Sequence, residues 1–346
     1  MKKMWALLLA ATMAAATVTG CGGGGGSDTP AGTEAAADNG GGSGELITVG
    51  YAQVGHESDW RTANTKNYQD VFSKENGYDL QLVDCDQDNA KQLEAVRTFI
   101  SQELDYIVIA PIETAGWDTV LQEAADVGIP VIIADREIDA DASAYTAWVG
   151  TNTKNEGITA ANWLGEYLDG KDANILVIEG TVGASATLGR TEGFNEVAAN
   201  HAEWTILDSQ SGNFTQKEGQ KVMESFIKSY EGKFNVVVCQ NDNEAYGAMD
   251  AMDAAGITYG VDGDVIIISY DATHDGLQYT LDGKINCNVE CNPIQAQTVA
   301  DVIQKIQNNE EYEATTLVED QAFVAPGITS EYATTMTEEI LQGRAY

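Results

Sequence analysis

Positive charge is scarce in this chain. Its 346 residues carry 18 Lys and Arg against 54 Asp and Glu, a formal net charge of −36. A surface so acidic is a poor match for nucleic acid or an anionic membrane face, and its plain reading is a solvated exterior. Histidine is rarer still: His56, His201 and His274 are scattered, and none of the five cysteines has CxxC spacing. That pattern argues against a zinc site. No D-x-D-x-D-G loop of the calcium-binding kind occurs. The glycine tract 22-GGGGGS-27 lacks the Lys-Ser/Thr ending of a phosphate-binding loop. No cofactor is called for. The apolar run 4-MWALLLAATMAAA-16 is too short for a membrane span.

That run follows the basic 1-MKK-3 and precedes 17-TVTGC-21, which reads as a signal peptide over 1–20. Its end resembles the lipobox of bacterial lipoproteins, with Val18 where leucine is commonest. The resemblance implies cleavage before Cys21 and a diacylglycerol on its sulfur. Residues 21–45 are dominated by Gly, Ala, Ser and acids and hold no large apolar residue. They cannot bury enough surface to offset their ordering entropy and are expected to be a flexible tether. The other cysteines, Cys85, Cys239, Cys287 and Cys291, read as buried free thiols; a pairing among them stays open. Cys287 and Cys291 do not pair with each other, being roughly 13 Å apart at i and i+4 on a strand.

From residue 46 the pattern alternates strand and helix. Strands are expected at 46–54, 79–85, 105–111, 129–136 and 145–152, with helices at 63–77, 88–102 and 114–128. Leu93, Val96, Phe99 and Ile100 share one helical face, and Gly77 and Gly128 close their helices. The nearly apolar 105-DYIVIAP-111 suits a parallel sheet buried on both faces. The cycle restarts with helices at 155–168, 190–201, 215–230, 243–256, 274–283 and 293–309. Strands are expected at 173–180, 204–210, 235–241, 264–272 and 285–292, then an extended 314–326 and a last helix at 330–343. The fold class is therefore α/β, with two doubly wound parallel sheets.

Ligands of such sheets bind beyond the carboxyl ends of the strands. There the chain places 57-ESDWR-61, Asp135-Arg136, Arg190, Asn213-Phe214, Asn241-Asp242, Asp271, and Glu290 with Asn292. Any one of these is as readily a helix cap, a turn residue or a packing residue; Asp59 in particular is expected to cap the helix that follows. Together they suit a sugar. Carboxylates accept from hydroxyls, Arg and Asn donate to them, and Trp or Phe lies against the C–H face.

The order 47-ITVGYAQVGHESDWRTAN-64, 105-DYIVIAPIETAGWDTVL-121, 129-IPVIIADR-136, 189-GRTEGF-194, 241-NDNEAYGAMDA-251 and 270-YDAT-273 resembles type I periplasmic sugar-binding proteins of ABC importers, and within them the galactofuranose-binding member. The resemblance implies two lobes joined by a three-crossing hinge, 46–150 with 293–318 and 151–292 with 319–346. It implies a ligand set of Glu57, Trp60, Arg61, Asp135, Arg136, Arg190, Phe214, Asn241, Asp271 and Glu290. Asp135 and Arg136 would bind ring hydroxyls, Arg190 would reach from the second lobe, and Phe214 would cover a sugar face. Arg61, standing where ribose receptors carry an aromatic, makes plain ribose a doubtful ligand. Either Glu290 or Asn292 would replace the family's hinge glutamine.

The resulting expectation is a monomeric, non-enzymatic, lipid-anchored receptor outside the cytoplasmic membrane or in the periplasm. Its partners would be a monosaccharide and an ABC permease with its ATPase. A sugar sensor addressing a kinase or chemoreceptor is the alternative. A glycosidase using Asp135 and Glu57 lacks a nucleophile motif, and neighbouring arginines would hold those acids ionised.

Overall fold

The structure is a computed structural model describing residues 45–346; the leader, Cys21 and the linker to residue 44 lie outside the described residues. Apolar β-branched runs make the strands, and amphipathic runs between them make the helices. The first half runs β1 (Ile47–Gln53), α1 (Asp59–Val71), β2 (Tyr78–Asp84), α2 (Asn89–Ser101), β3 (Tyr106–Ile109), α3 (Asp118–Val127), β4 (Val131–Asp135) and β5 (Ala147–Gly150). The second runs α4 (Thr153–Leu168), β6 (Ala173–Glu179), α5 (Ser185–Ala198), β7 (Trp204–Ser211), α6 (Gln216–Tyr230), β8 (Val236–Cys239), α7 (Asp242–Ala255), β9 (Ile266–Asp271), α8 (His274–Leu281) and β10 (Cys287–Glu290). There follow α9 (Ala296–Gln307), β11 (Thr315–Leu317), β12 (Ala322–Val324), β13 (Thr334–Thr335) and α10 (Glu338–Gln342).

Two sheets result. The first is parallel throughout, ordered β11-β5-β4-β3-β1-β2. The second, β13-β12-β10-β9-β8-β6-β7, is parallel except where β12 runs against β10. In each the chain starts at an inner strand, steps outward and returns past it, the doubly wound pattern that brings several strand ends to one rim. Both faces of the first sheet are covered, and every residue of β3 and β4 is buried. Its core gathers Tyr51, Tyr68, Ile107 and Trp117. The second sheet has a core on each face, one around Trp163, Phe194 and Tyr270, the other around Met223, Phe226 and Met249.

The chain passes between the sheets three times: from β5 to α4, from β10 to α9, and from β11 to β12. Helix α9 returns to the first core through Val299, Ala300 and Ile303.

Several boundaries differ from the sequence pattern. Helix α1 starts at Asp59 because the Ser58 hydroxyl caps it, accepting from the Arg61 N–H at 3.1 Å. Asp59 is thus the first helical residue, not the cap. Helix α5 starts at Ser185, so the glycine-rich 180–189 is half helix and Arg190 sits in the second turn. The extended 314–326 divides between two sheets. The last helix is five residues long, preceded by the two-residue β13. The β-branched Thr334 and Thr335 pair with Phe323 and Val324 instead of extending it.

Candidate functional site

Capping by Ser58 sets Trp60 and Arg61 in the first turn of α1, with 4% and 1% of their surface exposed. The Arg61 guanidinium donates to Glu57 Oε1 at 2.9 Å, to Asp135 Oδ2 at 2.7 Å and to Gln53 Oε1 at 3.2 Å. The second lobe repeats the scheme. Arg190 donates to Glu156 Oε2 at 2.7 Å, to Asp271 Oδ1 at 3.1 Å and to the Gln240 carbonyl. Each lobe therefore contributes one guanidinium held between two carboxylates. Buried charges of this kind persist only when paired and hydrogen-bonded.

The two aspartates occupy matching places. Asp135 ends β4 and Asp271 ends β9, each with left-handed backbone, φ 64° and 93°. For a non-glycine residue this conformation costs about 1–3 kcal/mol and survives where surrounding structure over-determines it. Here the arginine bonds to the carboxylates do so. Burial pushes the Asp271 carboxyl up to about 7, against the pull of Arg190.

Arg136 is less well satisfied. It donates to the Ile112 and Pro111 carbonyls at 3.3 and 3.5 Å, and its nearest carboxylates, Glu57 and Asp135, stand 3.8 and 3.9 Å away. Burial, with Arg61 close by, lowers its pKa below the ordinary arginine value. Its guanidinium lies across the cleft, 5.1 Å from the centre of the Phe214 ring. Phe214 ends a turn in which Asn213 and Phe214 are both left-handed, φ 53° and 60°. Its ring packs so closely on Gly180 that a Cβ there would stand 1.9 Å from it. Asn241 caps α7 by accepting from Glu244 N–H at 2.8 Å, and its amide donates to the Phe214 carbonyl at 3.0 Å.

Eight of the residues singled out in the sequence come together here. Trp60, Arg61, Asp135, Arg136, Arg190, Phe214, Asn241 and Asp271 line one pocket, with Ala186 and Cys291. The enclosed cavity measures only about 20 Å³, room for little more than one water and far under the roughly 300–1,000 Å³ usual for ligand pockets. Two residues are placed otherwise. Glu57 lies behind Arg61, which it holds. Glu290 accepts from Gln321 N–H at 2.9 Å and from Arg344 and Tyr346, so it ties a hinge crossing to the C-terminal arm. At the hinge, Asn292 N–H donates to Asp320 at 2.8 Å, and Trp60 Nε1 donates to the Cys291 carbonyl.

Sequence reasoning missed Gln53, Glu156, Ala186 and Cys291. Gln53 was detectable as a lone amide ending an apolar strand. Glu156 reads only as an acid in a first helical turn. The four described cysteines are all free and buried. Among the described residues, no group of three or more His, Cys, Asp and Glu side chains is placed to hold a metal ion.

Hydrogen bonds also join the lobes away from the pocket. Asp59 and Asn243 exchange two hydrogen bonds at 3.0 and 3.1 Å. Thr114 N–H donates to the Gly183 carbonyl at 2.9 Å, and Glu137 N–H to Ser185 Oγ at 2.8 Å.

Two doubly wound lobes, three chain crossings and a polar pocket between facing strand ends define a hinged ligand-binding protein. The chain belongs to the periplasmic binding protein family, whose domain model matches residues 49–311. The galactofuranose-binding protein of Escherichia coli K12 is 38% identical over 266 residues, 76% of this chain and 83% of that protein. A Mycobacterium smegmatis structure in complex with β-D-fucofuranose superposes with a TM-score of 0.77 at 39% identity, covering 81% of this chain and 91% of that one. The arabinose-transporter binding protein of Shewanella sp. ANA-3, bound to α- and β-L-arabinofuranose, superposes at 0.76 with 36% identity, covering 80% and 91%.

Proposed function

We propose that this chain is the exported, lipid-anchored substrate-binding protein of a carbohydrate ABC importer and that it takes one monosaccharide in furanose form. The observation that carries this reading is the pair of carboxylate–arginine–carboxylate groups facing each other across one pocket between the lobes. Solved relatives at 36–39% identity hold furanoses, which favours a five-membered ring over a pyranose here.

In this reading Asp135 and Asp271 accept from sugar hydroxyls while Arg61, Arg136, Arg190 and Asn241 donate to them. Phe214 and Trp60 supply the apolar walls. Glu57 acts through Arg61 without touching the sugar, and Glu290 serves the hinge. The site binds without catalysis, as in the transport-protein family to which the chain belongs, and Asp135 is an acceptor held by Arg61. The ligand favours the closed form because only there do both lobes reach it. The leader and Cys21 would anchor the protein outside the cytoplasmic membrane, and the tether would keep it near the permease at raised effective concentration.

Calorimetric titration tests this. Protein spanning residues 46–346, refolded from denaturant to remove any carried-over sugar, is titrated with a galactofuranoside, L-arabinose, D-fucose, fructose, ribose and a methyl pyranoside locked against ring opening. Tight binding of a furanose-accessible sugar, with none of the locked pyranoside, supports the reading. Binding of the locked pyranoside alone would overturn the furanose assignment, and binding of none would overturn the monosaccharide.

A further inference from the structure

The sequence 241-NDNE-244 has the form of a capping box, in which the residue at N3 reaches back to the N–H of the cap. Only half of that box forms. Asn241 Oδ1 accepts from Glu244 N–H at 2.8 Å, as a cap should. The Glu244 carboxyl turns away from its own helix and accepts the backbone N–H of Phe214 at 2.9 Å. The Asn241 amide meanwhile donates to the Phe214 carbonyl at 3.0 Å. Both backbone polar groups of Phe214 are thus bound by the first turn of α7, and a closed circuit of three hydrogen bonds joins residues 214, 241 and 244.

The packing around this circuit leaves little freedom. Glu244 is wholly buried. A Cβ on Gly212 would come within 2.8 Å of its Oε1, and one on Gly219 of α6 within 2.9 Å of its Cα, so small residues are needed where the turn and α6 pack against it. The turn itself holds two successive left-handed residues, Asn213 and Phe214, which need outside support to persist.

Building on the sugar-binding reading, we propose that Glu244 is a positioning residue for the ligand: by holding the Phe214 N–H it fixes the strained 212–214 turn and sets the angle at which the Phe214 ring forms a wall of the pocket. It does this without reaching the pocket itself. Burial raises its carboxyl pKa well above the ordinary value.

The test uses the protein in solution, first without ligand. In wild type the Phe214 amide should be strongly protected from hydrogen exchange, and in Glu244→Leu it should exchange at least tenfold faster. Glu244→Gln keeps an acceptor and should retain the protection. Sugar affinity is then measured for the same variants. Glu244→Leu should bind about 10–100-fold more weakly, because a buried donor is left unpaired, and Glu244→Gln should restore most of the loss. In a Phe214→Leu background, Glu244→Leu should add almost nothing, since both changes act on one wall. An unprotected Phe214 amide in wild type would overturn the proposal even if Glu244→Leu does not fold. Additive effects in the double variant, or failure of glutamine to rescue, would overturn it as well. If wild type binds no sugar while its Phe214 amide is protected and depends on Glu244, the anchoring of the turn stands, and the sugar-binding reading and the ligand role resting on it fall.

Discussion

At the residue scale the site depends on buried charges that satisfy one another. Arg61 and Asp135 expose 2% and 7% of their side chains, and Arg190 and Asp271 2% and 8%. Removing one partner leaves the other charged and buried, which costs roughly 3–5 kcal/mol. Asp135→Ala and Arg190→Ala should therefore lower the urea midpoint and weaken sugar binding by at least about 100-fold. Arg190→Lys should not rescue, because an ammonium cannot span Glu156, Asp271 and the Gln240 carbonyl together. Asp271 adds a pH dependence. Its carboxyl moves from an ordinary 3.8 to about 7 in the fold. Between those values the folded protein keeps a proton that the unfolded chain has released. The contribution to stability is thus fully present below about pH 4 and lost as pH rises to about 7. Buried Asp242, raised to about 6, acts in the same direction. Urea denaturation across that range should show a smaller fall in stability for Asp271→Asn than for wild type.

At the element scale, the pocket is made by where strands stop and helices start. Strands β4 and β9 deliver Asp135 and Asp271 at their carboxyl ends, while caps on α1 and α7 place Arg61 and Asn241. Strand periodicity shows that a residue stands at a strand end, which is why these positions were legible. Helix starts were read less well. Two helices begin four or five residues earlier than their apolar periodicity suggests, because Ser58 and the segment before Ser185 begin them ahead of the first regularly spaced apolar residue. The C-terminal arm was read as a long helix and is instead a short one followed by a strap. Arg344 donates to Glu290 and stacks 5.3 Å from the Phe323 ring centre. Arg344→Ala should destabilise the second lobe by about 1.5–3 kcal/mol and change sugar affinity far less than Arg190→Ala does. Chemical denaturation and titration of one preparation would separate the two effects.

At the scale of the whole molecule, the proposed binding requires the two lobes to close on the sugar. Asp59 and Asn243 join helix starts from opposite lobes and line no part of the pocket. Asn243→Ala should remove about 1 kcal/mol from the closed form. Affinity would fall about fivefold through a smaller competent population, and solution scattering of the sugar-free protein would report a larger radius of gyration. A variant with unchanged affinity and scattering would show that this pair does not govern closure.

The sequence by itself determined the two doubly wound sheets, since short, nearly continuous apolar runs alternating with amphipathic helices have few other ways to bury both faces. It also determined the chemical character of the rim, because carboxylates, guanidinia and aromatics recur after strands in both halves. Only the tertiary structure decided which of those side chains meet. Glu57 and Glu290 have the same local credentials as Asp135 and Asp271, yet Glu57 stands behind Arg61 and Glu290 faces the C-terminal arm. The partners that settle this are far away in the chain: Arg61 and Asp135 are 74 residues apart, Arg190 and Asp271 81, and Glu290 and Arg344 54. Local pattern carries the periodicity of an element but not the identity of a distant partner, and a buried charge is placed by its partner.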